Sequence, residues 1–334
     1  MPKLYRHVSL VTAAVVGLGL AVSGSGYAKQ LGGQAGAFLW MGLGADRVGM
    51  GDCGAAMTGG GTAWYYNPAA LPYSTGRRVA FEYRMMALDR KIMYAGFSTP
   101  FEPEEGMDAG VAVGVMRAGT DEIDGRDSNG ERFDMLSYSD NLIHGSFALK
   151  PHPRVAVGIS IKWLIGAVPD IKENDENLYA YGMGVDIGLL VFARKDLRFG
   201  LQVRDLNARY SWDTSEVWGE GGATKEDAFP NLTRLGVAWE VRPSLTVAAD
   251  AVVNGTDIGE DIDAVEPRFG VEWGYDFDRA KGLVLRAGYN GEGETFGLGL
   301  KLELSRVKAR LDYAFLVEPV APSGTHLIGW VFEL

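Results

Sequence analysis

From Arg77 to the carboxyl terminus, large apolar residues recur at every second position. Across residues 155–163, Val155, Val157, Ile159, Ile161 and Trp163 alternate with Ala156, Gly158, Ser160 and Lys162. The same period runs through Val111, Val113 and Val115, and through Tyr181, Met183, Val185, Ile187 and Leu189. It continues in Leu235, Val237 and Trp239, in Phe269, Val271, Trp273 and Tyr275, and in Val307, Ala309, Leu311, Tyr313 and Phe315. A period of two puts one set on an apolar face of a strand and the other on a wet or crowded face. Strand starts are predicted near Arg77, Lys91, Asp108, Leu136, Arg154, Leu178, Leu197, Asn231, Ser244, Glu266, Gly282, Glu294, Arg306 and Gly324. That makes about fourteen strands, an even number within the range of bacterial membrane barrels.

Soluble sandwiches alternate too, so the connections have to decide between them. Short turns are expected at residues 150–153, 194–196, 242–244 and 278–281, and long polar loops at 121–134, 169–177, 211–230 and 254–265. Brief turns at one end and long loops at the other are the pattern of a transmembrane barrel. Aromatic residues near strand ends, such as Trp163, Tyr179, Trp273, Tyr275, Tyr289 and Tyr313, suit a lipid–water boundary. Mean hydropathy is close to zero, as expected when lipid-facing and lumen-facing residues cancel.

The first residues are different in kind. Lys3 and Arg6 precede an apolar run from Val8 to Val22, and small Gly26 and Ala28 follow. That is the layout of a cleaved secretion signal over residues 1–28. Residues 29–76 do not alternate. They are rich in glycine and alanine, with bulky Phe38, Leu39, Trp40, Trp64, Tyr65 and Tyr66. Such a segment is too apolar for a disordered tail and is expected to fold into the lumen as a plug, ahead of a barrel over 77–334.

Charge and composition narrow the function classes. Asp and Glu outnumber Lys and Arg by 43 to 32, giving a net charge of -11, so there is no basic footprint for nucleic acid. Cys53 is the single cysteine, which excludes an internal disulfide and a cysteine zinc cluster. No metal or cofactor is expected. The 46 glycines suit closely approaching strands and a compact plug.

Two stretches carry a family resemblance. Gly44-Ala45-Asp46-Arg47-Val48-Gly49-Met50-Gly51, followed by Ala63-Trp64-Tyr65-Tyr66-Asn67-Pro68-Ala69-Ala70-Leu71, resembles the N-terminal signature of the PorV/PorQ family, within the FadL-like superfamily of long-chain fatty acid transporters. Later segments, 185–190, 197–201 and 311–315, are similar to it as well. The resemblance implies a fourteen-stranded barrel with an N-terminal hatch. Its members either pass hydrophobic molecules across the outer membrane or, as PorV-like secretion accessories, dock exported cargo at the cell surface. The last strand, Trp330-Val331-Phe332-Glu333-Leu334, resembles the signal read by the barrel assembly machinery, with Leu334 where an aromatic is usual.

The candidate site residues are of two kinds. Gly49, Met50, Gly51, Asn67, Pro68 and Ala69 form the plug motif. Asn67 precedes proline, so its backbone is extended, and its side chain can bond nearby peptide groups. By parity, Lys162, Asp186, Arg204, Arg234, Asp250, Arg268, Glu272, Arg286, Lys301, Lys308, Arg310 and Asp312 point into the lumen. They read either as a permeation path or as mutually neutralising charges that anchor the plug, since ionised groups in a narrow interior must be paired. The acidic residues of 257–266 and the Asp127-Ser128-Asn129-Gly130 fragment lack the full ligand spacing of a calcium loop. His144 and Ser146 share a face, but no third group is placed to orient them, so no enzyme activity is expected. The partners implied are outer-membrane lipid, the assembly machinery, and a hydrophobic ligand or a secreted cargo protein.

Overall fold

The computed structural model describes residues 34–126, 129–168, 177–215, 221–255, 265–278, 280–304, 307–318 and 324–334. The expected signal and the bulk of the loops at 169–177 and 254–265 lie outside these residues. The described strands are β1 (Arg78–Met85), β2 (Arg90–Glu104), β3 (Met107–Arg126), β4 (Arg132–His152), β5 (Val155–Val168), β6 (Leu178–Phe192), β7 (Leu197–Asp213) and β8 (Thr224–Ala228). They continue with β9 (Asn231–Arg242), β10 (Leu245–Gly255), β11 (Val265–Asp276), β12 (Lys281–Tyr289), β13 (Glu294–Leu304), β14 (Val307–Leu316) and β15 (Thr325–Glu333).

Each strand pairs antiparallel with its sequence neighbour, except that β7 also passes its ladder to β9 across the short β8. β1 closes the ring by pairing with both β2 and β15, Phe81 lying opposite Ala95 on one side and Trp330 on the other. Fourteen strands therefore form a closed antiparallel barrel, with β8 appended to β7. Closure removes sheet edges, which a strand-built protein must do to cross a bilayer.

The predicted alternation is the alternation observed. Val157, Ile159, Ile161 and Trp163 are exposed on the outer face, while Ala156, Gly158, Ser160 and Lys162 are buried. Tyr181 is 62 % exposed beside Ala180 at 0 %. The exposed apolar surface is the outer belt of a transmembrane barrel. Introducing Arg at Val157 or Ile159 is expected to cost about 2–4 kcal/mol near the bilayer midplane. Arg at Ser160, whose Oγ lies 2.7 Å from the Oγ of Ser146, acts instead by crowding the interior. Urea-dependent refolding into vesicles measures both. Equal and negligible effects at Val157 and Ser160 would contradict the inward–outward assignment.

Three expectations are corrected. β4 starts at Arg132 rather than at Leu136. Residues 121–134 are largely a continuation of the β3–β4 ladder. Residues 211–230 contain the end of β7 and the whole of β8. Beyond the apolar belt the strict alternation lapses, as in Asp121-Glu122 and Asp124 of β3 and in the wholly non-apolar run 224–227 of β8, so the contrast that marks a strand disappears while backbone pairing continues. Register shifts at Thr120/Ile123 and Gly125/Arg126 break the period as well.

Candidate functional site: the barrel interior

Residues 34–76 form four short helical pieces, Ala37–Trp40, Ala45–Val48, Ala63–Tyr66 and Pro68–Tyr73. None exceeds six residues, too few to be stable alone in water, so their stability comes from packing. The segment is held on the inward face of the strands. Gly51, at φ 69, brings its backbone against the carbonyls of Phe269 and Tyr289, an approach that a side chain would prevent.

A belt of wall glycines matches the path of this segment. A Cβ on Gly270 or Gly288 would overlap the backbone of Met50 or Gly51, and one on Gly49 would lie 2.8 Å from the Cα of Gly297. Across the ring, a Cβ on Gly158 would lie 2.5 Å from the amide of Ala69, and one on Gly188 would overlap Asn67. The two halves of the motif, 49–51 and 67–69, are therefore seated on opposite walls: β11 to β13 on one side, β5 and β6 on the other. The motif amides complete the contact. Gly51 N donates to Thr295 Oγ1 at 2.9 Å. Asn67, extended before Pro68 at φ -166, donates from Nδ2 to Ala55 O at 2.6 Å and to Leu189 O at 3.0 Å, and accepts from Ala69 N at 3.0 Å.

Asn67→Ala removes all three bonds at a fully buried position. It is expected to loosen residues 67–73 by about 1–3 kcal/mol without unfolding the ring. Amide exchange read separately for the segment and the strands tests this, and equal loss in both would contradict it.

Buried charges tie the segment down in three clusters. In the first, the Asp52 carboxylate accepts from Arg268, from Arg234 at 3.4 Å and from the Tyr66 hydroxyl, while Asp250 accepts from the amides of Gly54 and Ala55 at 2.8 and 3.1 Å. In the second, Lys162 bridges Asp205 and Asp186, the latter at 2.6 Å. Beside it Arg204 lies over the Tyr65 ring at 4.1 Å and donates to Leu39 O at 2.8 Å. In the third, Arg310 joins Asp46 at 2.6 Å to Asp312 at 2.5 Å, and Arg286 joins Asp312 at 2.8 Å to Glu272 at 2.7 Å. Burial would raise the Asp46 carboxyl, but Arg47, Arg310 and Arg286 outweigh it and hold the group well below the carboxylate range. Its contribution is therefore complete above the ordinary carboxyl value and is lost only as pH falls through the depressed one.

Ten of the twelve charges assigned to the lumen by parity lie in these clusters. The remaining two, Lys301 and Lys308, share that parity but sit at the open end, their side chains 48 % and 63 % exposed beside Asp276 and Glu333. They correct the expectation of a lumenal position: a lumen-facing strand position becomes solvent where the strand clears the rim.

Parity had a second limit. Glu82, which accepts from Ala45 N at 3.1 Å, and Arg84, which donates to Met41 O, both point inward on β1, and the alternation of that strand would have found them. Asp205 was not accessible in this way. It lies in a bulge of β7 with φ 59, where the register against β6 shifts, so consecutive Arg204 and Asp205 are both buried.

The His144–Ser146 pair faces the interior as well. Trp64 stacks on the His144 ring with centroids 3.5 Å apart, and the imidazole lies 3.3 Å from the Tyr94 hydroxyl and 3.2 Å from the Ser146 hydroxyl. The pair is thus roofed by an indole.

The segment separates two cavities. At the end with the long connections a space of about 730 Å³ is lined by Met41, Ile92, Tyr138, Asp140, Tyr210 and Trp212 among others. At the short-turn end one of about 700 Å³ is bordered by Arg78, Lys301, Lys308, Arg310 and Glu333.

No family model and no curated protein sequence matches the chain. Solved structures do match. The toluene transporter TodX of Pseudomonas putida is 14 % identical with a TM-score of 0.56, the match covering 87 % of this chain and 97 % of that one. The CymD monoaromatic hydrocarbon channel is 15 % identical with a TM-score of 0.51 over 88 % and 98 %. A FadL homologue of Pseudomonas aeruginosa is 10 % identical with a TM-score of 0.54 over 87 % and 96 %. At these identities the likeness is one of fold: a closed antiparallel β-barrel similar to those of these channels.

Proposed function

We propose that the protein is an outer-membrane transport barrel, exported with a cleaved signal, in which residues 29–76 act as a plug gating the passage of small hydrophobic or amphipathic molecules. The observation that carries this reading is the placement of the segment between two cavities, held to the wall by buried ion pairs and hydrogen bonds as well as by apolar packing. Closed ladders hold the ring together without the segment, and water can replace each polar bond that a shifting plug gives up. A purely apolar filling would have no such exchange available. The similarity to hydrocarbon channels points the same way. The motif resembling the PorV/PorQ family is the part that clamps the segment to opposite walls. The cargo-docking reading of that resemblance gains no observation here and is not adopted.

The test uses the full chain reconstituted in vesicles containing lipopolysaccharide. The protein is expected to speed entry of the apolar probe N-phenyl-1-naphthylamine severalfold while excluding sucrose. Entry no faster than in protein-free vesicles would overturn the reading.

A further inference from the structure

We propose that the cavity at the long-connection end is a binding site for organic cations, an ammonium group carried on an apolar body. This names a ligand class for the transport reading above, but the site itself is tested by binding alone. Its centre is Asp140 on β4, 8 % exposed and part of the cavity lining. Tyr138 and Tyr210 both donate their hydroxyls to the same oxygen, Oδ1, at 2.9 and 2.7 Å. Among the described residues nothing donates to Oδ2, and that atom is not sealed from the cavity.

The other charges on the lining have partners already. Lys91 is bridged to Asp121, Lys225 to Asp227 at 3.3 Å, and Glu226 to Arg209 at 2.9 Å. Arg90 is held by the carbonyl of Ala87 in its own turn at 3.0 Å. Asp140 is left as a nearly buried carboxylate with two neutral donors and no cation. A desolvated carboxylate of this kind favours a positive partner, because attraction grows as water is excluded.

The surroundings match the other half of such a ligand. Tyr210 packs edge-on against Trp212 and Phe229, with centroids 5.9 and 5.0 Å apart. On the neighbouring wall strand stands Gly166. A Cβ built there would lie 3.4 Å from Asp140 Oδ1, from the Trp212 ring and from Tyr210 Cζ alike. Carboxylate and aromatic rings thus converge on a position that carries no side chain. Aromatic faces around a carboxylate are the chemistry that holds ammonium groups, and about 730 Å³ accommodates a small organic molecule rather than a bare ion.

Calorimetric titration of the full-length protein in neutral maltoside micelles compares phenethylammonium, 2-phenylethanol and phenylacetate, which differ in charge and little in shape. The cation is expected to bind about tenfold more tightly than the alcohol, and phenylacetate more weakly than either. Asp140→Asn should bring the cation down to the affinity of the alcohol while leaving the alcohol unchanged. If that variant fails to fold, as judged by heat-modifiable mobility, Gly166→Leu fills the convergence point with the carboxylate intact and should lose both ligands. Equal binding of cation and alcohol, the result if Asp140 were neutral, would overturn the proposal. So would a cation preference that survives Asp140→Asn or Gly166→Leu. Binding without probe entry would count against transport and leave the site standing; entry without cation preference would do the reverse.

Discussion

Gly200→Val is expected to open the barrel without unfolding it. A Cβ at Gly200 overlaps the carbonyl of Ala55, which is backbone and cannot rotate away. Ala55 is itself fixed on both sides, its amide donating to Asp250 at 3.1 Å and its carbonyl accepting from Asn67 at 2.6 Å. Valine is a good strand former, and the ladders of Gly200 to Leu190 and Gly236 use backbone groups that the substitution leaves in place. The strain therefore falls on the segment. Overpacking of this kind costs about 1–3 kcal/mol, which raises the open fraction by about fivefold to a hundredfold. Single-channel recording of the refolded variant reads it directly. Gly145→Val is the control: a Cβ there meets only the Trp163 ring, at 3.9 Å, and conductance should stay at the wild-type level. A closed Gly200→Val barrel would mean that the segment yields without leaving the wall.

Asp52→Asn should have the largest effect of any single charge removal. The carboxylate serves Arg234, Arg268 and the Tyr66 hydroxyl at once, and its backbone sits at φ 59, a conformation that asparagine adopts readily. Shape and backbone are thus retained while two buried guanidinium groups lose their shared counter-charge. Breaking one side of a buried pair costs about 3–5 kcal/mol. Amide protection over residues 45–57 is expected to fall more than a hundredfold with the strands little changed. Adding Arg268→Gln should restore part of the protection, since it removes one of two cations left with only their longer ion pairs, Arg268 to Glu266 at 3.3 Å and Arg234 to Asp250 at 3.5 Å. Unaltered protection in Asp52→Asn would contradict the anchoring role of this cluster.

The ring was legible in the sequence because lipid on one side and packed interior on the other impose opposite demands on adjacent residues. Val157 and Gly158 differ for that reason, and so do Ile187 and Gly188. Where that contrast ends, legibility ends with it. Thr224–Ala228 contains no large apolar residue and pairs with β7 through its backbone and the Arg209–Glu226 ion pair, and at the far ends of β3 and β4 the strict alternation of apolar and polar residues lapses. The wall glycines could be counted but not interpreted, because their meaning depends on which backbone passes each one. Interior charge was readable as parity, so Arg234, Asp250 and Arg286 could be named, yet not what they touch. Asp52 and Asp205 depend on local left-handed geometry, which no pattern of polarity encodes. The aromatic and carboxylate cluster around Gly166 joins β4, β5 and β7 and carries no motif at all.

The central claim is that the N-terminal segment keeps the barrel shut. Its most direct test is planar-bilayer conductance of the refolded full-length chain beside a form lacking residues 29–73. The account predicts a folded, heat-modifiable barrel in both cases, essentially closed with the segment present and steadily conducting once it is removed. A truncated barrel that folds and remains as closed as the intact chain would contradict it.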